Sequence, residues 1–111
     1  MIFKATKTDN YTLLQVTTEK LDSAISPELK SELVLLNAGG VKNIILDLTE
    51  TRYCDSSGLS AILVGNRLCK NAGGSLILCS IQEPVKKLIN ISQLDSILNI
   101  KTSVEESKSS F

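Results

Sequence analysis

Asn43-Ile44-Ile45-Leu46-Asp47-Leu48 is the stretch on which the fold turns. A strand with one wet face alternates apolar and polar residues, and Ile44-Ile45-Leu46 does not. The run is short and is flanked by polar Asn43 and Asp47. It reads as a strand buried on both faces, as in a parallel sheet. Leu76-Ile77-Leu78-Cys79 reads the same way. Between the two lies a helical pattern from about Ser57 to Asn71, with Leu59, Ile62, Leu63, Leu68 and Cys69 on its apolar side. A buried strand, a helix and a second buried strand make a βαβ crossover.

Working outward from there, Ser26-Pro27-Glu28 signals a helix start. Ser26 can cap, proline suits the first turn, and Glu28 suits the positive end of the helix dipole. Leu29, Leu33 and Leu36 recur on one face of that helix. Asn37-Ala38-Gly39-Gly40 ends it, and Asn71-Ala72-Gly73-Gly74 ends the next, because glycine enters the left-handed conformation without steric cost. Two helix–GlyGly–strand units in a row are convergent helix-ending chemistry, not a solenoid repeat. At the front, Ile2 to Lys7 and Tyr11 to Thr18 read as two short strands, with turn chemistry at Asp9-Asn10, and so as a hairpin. Downstream, Glu83-Pro84 starts a third helix with Val85, Leu88 and Ile89 inward. Ser92 is expected to cap a last short helix carrying Leu94 and Ile97. Residues 103–111 are polar and are expected to form a flexible tail. The chain therefore reads as a single α/β domain over residues 1–102, a mixed sheet of about four to five strands covered by amphipathic helices.

Composition closes off several functions. The chain has 111 residues, 42% of them hydrophobic, enough for a core without a metal or disulfide staple. Twelve basic and twelve acidic residues cancel, so there is no electrostatic footprint for nucleic acid or an anionic membrane. There is no histidine, and Cys54, Cys69 and Cys79 have neither even number nor Cys-x-x-Cys spacing. No metal site or cofactor is expected from such a set. The cysteines sit in apolar surroundings and read as small buried hydrophobes in a reducing compartment. The N-terminus lacks a signal-peptide core, and no apolar run approaches a membrane span, so a cytoplasmic location without membrane insertion is expected. No Walker-type phosphate loop is present.

One polar segment between apolar elements stands out: Tyr53-Cys54-Asp55-Ser56-Ser57-Gly58-Leu59. Loops at the carboxyl ends of strands are where function gathers in α/β sheets. The first turn of a helix has unpaired N–H groups and partial positive charge, so a phosphate on Ser56 would be tolerated there. It would add roughly −1.5 to −2 charges at pH 7, next to Asp55. Gly58 removes a side chain and lets a partner approach the backbone. From spacing alone the plainer interpretation is the stronger: Asp55 or Ser56 is an N-cap, and Gly58 is a packing accommodation.

The wider pattern shifts that balance. Asp55-Ser56-Ser57-Gly58-Leu59-Ser60-Ala61-Ile62-Leu63 resembles the signature of the STAS family, named for sulfate transporters and anti-sigma factor antagonists. Leu21-Asp22 before the first helix, Ile44-Ile45-Leu46-Asp47-Leu48, Gly73-Gly74 and Glu83-Pro84-Val85-Lys86-Lys87-Leu88 agree with the family in order and spacing. The resemblance spans roughly residues 2 to 100. Two places depart from it: Glu19 or Lys20 stands where the family has a glycine before Leu-Asp, and Tyr53-Cys54 replaces a more usual aliphatic or Phe pair.

What the resemblance implies is an anti-sigma factor antagonist in a partner-switching pathway, with Ser56 as the phosphorylated serine. Asp22, Asp55, Ser56, Ser57, Gly58 and Leu59 are then expected at the partner surface. The implied partners are an anti-sigma factor that is also a serine kinase of the histidine-kinase-like ATPase type, and a serine phosphatase. The unphosphorylated form binds the kinase, phosphorylation releases it, and the free protein is expected to be a monomer. Asp22 reads equally well as a turn residue, whereas Asp47 reads better as a strand-end polar residue than as a contact, and Lys86 and Lys87 better as a solvated helix face than as phosphate sensors. Two other functions compete. A constitutive non-catalytic subunit of a transport or signalling complex would use the same domain with a structural serine. An enzyme with Ser56 or Ser57 as nucleophile would need an activating base, and without histidine the Ser-His-Asp arrangement cannot be built. No enzymatic activity is expected.

Overall fold

The strand Asn43–Asp47 lies in the middle of the sheet, as its unbroken apolar run requires. The computed structural model describes residues 2–111. In chain order the elements are β1 (Phe3–Lys7), β2 (Thr12–Val16), β3 (Lys20–Leu21), α1 (Ser26–Ala38), β4 (Asn43–Asp47), β5 (Tyr53–Cys54) and α2 (Ser56–Asn71). There follow β6 (Ser75–Cys79), α3 (Glu83–Ile91), a 3-10 turn (Leu94–Ser96), β7 (Asn99–Lys101) and α4 (Val104–Lys108). The five-stranded sheet has the order β1-β2-β4-β6-β7. β1 and β2 form the expected antiparallel hairpin, with Phe3 opposite Val16 and Lys7 opposite Thr12. β4 runs parallel to both β2 and β6, and β7 extends the parallel set beyond β6.

Successive residues of a strand point to opposite faces. Ile44 and Leu46 of β4, with Leu76 and Leu78 of β6, face the main core, built with Leu29 and Leu33 of α1 and Leu59, Ile62 and Cys69 of α2. Ile45 and Ile77 point the other way and are buried all the same. Their cover is α4, which packs on β4, β6 and β7. The expected flexible tail is therefore corrected. Ser103 caps α4 by accepting the N–H of Glu106, Ser107 is fully buried against Cys79, and Phe111 stacks on Tyr11 with ring centroids 6.0 Å apart. A polar composition alone predicts disorder, but two isoleucines on the second face of the sheet need covering, and this segment does it.

Two cap assignments also move. Ser26 opens α1 but does not cap it. The chain already turns at Asp22, whose carbonyl accepts the N–H groups of Ile25 and Ser26 and, at 2.6 Å, the Ser26 hydroxyl. Ser92 does not start a helix; it stands at the C-terminal cap of α3, and Gln93, at φ 59°, turns the chain into the 3-10 segment. The GlyGly pairs end their helices as expected, with Gly40 at φ 92° and Gly73 at φ 85°.

Candidate functional site

A two-residue ladder absent from the sequence-based expectations builds the site. β3 pairs in parallel with β5, Lys20 beside Tyr53 and Leu21 beside Cys54. The Glu19 carbonyl accepts from the N–H of Arg52 at 2.8 Å and of Tyr53 at 3.1 Å. The Leu21 carbonyl accepts from Asp55 N–H at 3.3 Å. These bonds place the turn after Leu21 against the start of α2, although 33 residues separate Asp22 from Asp55. The Glu19–Arg52 ion pair beside them, at 3.5 Å, is mostly exposed and contributes little.

Asp55 caps α2 in extended geometry. Its Oδ1 accepts the Gly58 N–H at 3.0 Å and the Ser57 hydroxyl at 2.6 Å. Donation from the Ser57 hydroxyl, then from the Gly58 N–H and from the backbone of Ser57 and Ser23, holds the carboxyl below the ordinary 3.8. The Ser23 contact means that one carboxylate ties both segments of the site together. Asp22 is half-buried, and its own Oδ1 accepts the Ala24 N–H at 3.1 Å. It is thus a turn residue, and the β3–β5 ladder sets that turn beside the cap of α2.

The two serines differ. Ser57 is half-buried with its hydroxyl committed to Asp55. Ser56 is exposed at the first helical position, and its hydroxyl has no hydrogen-bond partner among the described residues. Gly58 and Leu59, expected at the partner surface, lie inside instead. Leu59 is 4% exposed and belongs to the main core. A Cβ on residue 58 would overlap the Leu21 carbonyl and stand 2.6 Å from the Cys54 Sγ. Gly58 is therefore there to let α2 dock on β3, and not to admit a partner. Tyr53, half-exposed next to the site, was missed as a surface feature. A lone exposed aromatic in a strand carries no signal that sequence could have shown.

Among the described residues no cluster of His, Cys, Asp or Glu could hold a metal ion. Asp47 closes the end of β4, accepting the Thr49 N–H at 3.0 Å and the Gln15 side-chain amide at 3.3 Å. An open cavity of about 590 Å³, lined in part by Lys7, Tyr11, Lys42 and Phe111, lies at the other end of β4 from Ser56. No helix among the described residues is long and apolar enough to cross a membrane.

The STAS domain model matches residues 3–107, nearly the whole chain and all but the last residue of α4. The chain belongs to the STAS domain family. The anti-sigma-B factor antagonist of Bacillus subtilis is 30% identical over 86 residues, covering 78% of each chain. Two solved structures share the fold of this STAS domain. An anti-sigma factor antagonist from Mycobacterium paratuberculosis has a TM-score of 0.86 at 14% identity, over 97% of this chain and 91% of that one. The Bacillus cell fate determinant SpoIIAA in its phosphorylated form has a TM-score of 0.75 at 20% identity, over 98% and 99%. At such identities the two structures speak for the fold of the STAS domain alone.

Proposed function

We propose that this STAS domain is an anti-sigma factor antagonist that works by partner switching, with Ser56 as its phosphorylation site. The observation that carries this is the contrast at the start of α2, where Ser56 alone of the two serines presents an exposed, uncommitted hydroxyl. The partner is an anti-sigma factor that is also a serine kinase, bound across the surface formed by Asp22, Asp55, Ser56 and Ser57. Phosphorylation adds roughly −1.5 to −2 charges beside the ionised Asp55 carboxylate. A surface fitted to a neutral hydroxyl then meets like charge and an unpaired, desolvated anion, and the complex separates. A serine phosphatase resets the cycle. The protein works in the cytoplasm as a binding module and not as an enzyme. Ser56 makes no hydrogen bond to a base among the described residues, and the adjacent Asp55 carboxylate is already engaged by the Ser57 hydroxyl and the Gly58 N–H.

The test is affinity of the Ser56→Ala and Ser56→Asp variants for the anti-sigma factor purified from the same cells, measured by calorimetry. Ser56→Ala should bind like the parent, and Ser56→Asp at least about tenfold more weakly, the equivalent of about 1.4 kcal/mol. Equal affinities would overturn the proposal and favour a constitutive subunit of a transport or signalling assembly.

A further inference from the structure

We infer that Asp55 is the residue that directs phosphorylation to Ser56 and away from Ser57, a positioning role that rests on the function proposed above. The two serines are adjacent, and both hydroxyls belong to the first turn of α2. What separates them is the Asp55 carboxylate. It holds the Ser57 hydroxyl at 2.6 Å while it caps the Gly58 N–H at 3.0 Å. Charge-assisted bonds of this kind are roughly twice as strong as neutral ones.

The transferred group is the γ-phosphoryl of a nucleoside triphosphate. Serine Oγ forms the new O–P bond, and the bond from the γ-phosphorus to its bridging oxygen breaks. The nucleoside diphosphate leaves, and the hydroxyl proton passes to a base of the kinase. For Ser56 nothing among the described residues obstructs that geometry, since the side chain is exposed and its hydroxyl makes no hydrogen bond there. For Ser57 three things do. The hydroxyl proton is already given to Asp55 and so does not point to a kinase base. The side chain is half-buried. The anionic phosphoryl group would have to approach within contact distance of a carboxylate whose ionised form four donors stabilise. The same carboxylate is a poor base toward Ser57, because those donors lower its proton affinity.

Asp55→Asn separates the cap from the charge. An asparagine caps a helix as well as an aspartate and can still accept the Gly58 N–H. It holds the Ser57 hydroxyl more weakly and does not repel a phosphoryl group. Four forms would be incubated with ATP and an extract of the cells the protein comes from: the parent, Ser56→Ala, Asp55→Asn, and the double variant. Fragmentation spectra of the peptide spanning the two serines then assign the phosphate. The parent should carry it on Ser56 only, and Ser56→Ala should stay blank. Asp55→Asn should raise the Ser57-to-Ser56 ratio at least about tenfold, and the double variant should be phosphorylated on Ser57. Phosphate on Ser57 of Ser56→Ala with Asp55 intact would overturn the inference. So would a double variant that stays blank while Asp55→Asn remains phosphorylated on Ser56. A parent with no phosphate at all would instead remove the function proposed above, and the inference with it. One readout is independent of any kinase: the Ser57 hydroxyl proton should exchange slowly enough to be seen by NMR in the parent and not in Asp55→Asn. Fast exchange in the parent would show that the Ser57–Asp55 bond does not hold the hydroxyl, and would overturn the inference by itself.

Discussion

The backbone N–H of Asp55 donates to the carbonyl of Leu21 at 3.3 Å, and that same carbonyl is what a side chain at residue 58 would strike. The helix cap and the Asp22 turn are therefore held at a separation that only glycine at 58 permits. Gly58→Ala should lose about 1–3 kcal/mol to overpacking. Alanine's better helix propensity returns at most about 1 kcal/mol. The expected outcome is a lower urea midpoint with an unchanged slope, together with weakened binding of the anti-sigma factor, because α2 must lift from β3. Unchanged stability and unchanged binding would show that the docking is looser than these distances imply.

The serines should separate in stability as they do in exposure. Ser56→Ala removes an exposed hydroxyl with no partner and should stay within about 0.5 kcal/mol of the parent. Ser57→Ala removes a bond to a charged acceptor and should cost about 1.5–3 kcal/mol. Chemical denaturation of the two single variants measures both.

The cap should fail in acid. The Asp55 carboxyl is held below the ordinary 3.8 in the folded chain by its four donors. A carboxyl depressed on folding stabilises the fold above its unfolded value, and that contribution is lost as pH falls through the folded one. Below about pH 3.8 the amide signals at the start of α2 should therefore shift ahead of the rest of the domain. In Asp55→Asn that local transition should be absent.

The thiols should be silent at neutral pH and costly in alkali. Burial, with Asp55 as the lesser cause, pushes Cys54 up from 9.0 to about 12, and burial pushes Cys69 up to about 11. The native protein should react slowly with a disulfide reagent at pH 8, and all three cysteines should react in denaturant. An acidic group whose folded value is raised is protonated in the folded chain where the unfolded chain has already ionised. Stability should therefore fall as pH rises from about 9 toward 12. A thermal denaturation series across that window gives the slope.

Ending the chain at Thr102 should be felt in the sheet. Removal of α4 uncovers Ile45 and Ile77, and re-exposing one buried isoleucine costs about 1.5–3 kcal/mol. Cys79, which Ser107 covers, should become the first thiol to react. A truncated domain as stable as the parent, with Cys79 still protected, would mean that the sheet face is covered some other way.

Much of this was legible in the residues. The runs Ile44-Ile45-Leu46 and Leu76-Ile77-Leu78 announced buried parallel strands because no polar residue interrupts them, and the GlyGly pairs fixed where two helices stop. What could not be seen was any pairing made by too few residues to form a pattern. Lys20-Leu21 and Tyr53-Cys54 are strands of two residues that make one ladder, and Asn99–Lys101 is a strand of three. Residues 103–111 misled for a related reason: only Val104 and Phe111 are large and apolar, and helix α4 rests on the need of the face beneath it, not on its own composition.

At the site the division is sharper. The sequence by itself determined that an aspartate, two serines and a glycine open a helix after a buried strand, since cap chemistry and hydrophobic period are local properties. It also brought Asp22 into consideration through the resemblance. Asp55's hold on Ser57 is as local as the cap itself, two residues along the chain, and tertiary structure alone decided that Gly58 is pressed against Leu21 and Cys54 and that the Asp22 turn stands beside the cap. Each of those depends on Leu21 meeting Asp55 across more than thirty residues of chain, and such a meeting is set by how the sheet and helices pack, not by any stretch of residues read in order.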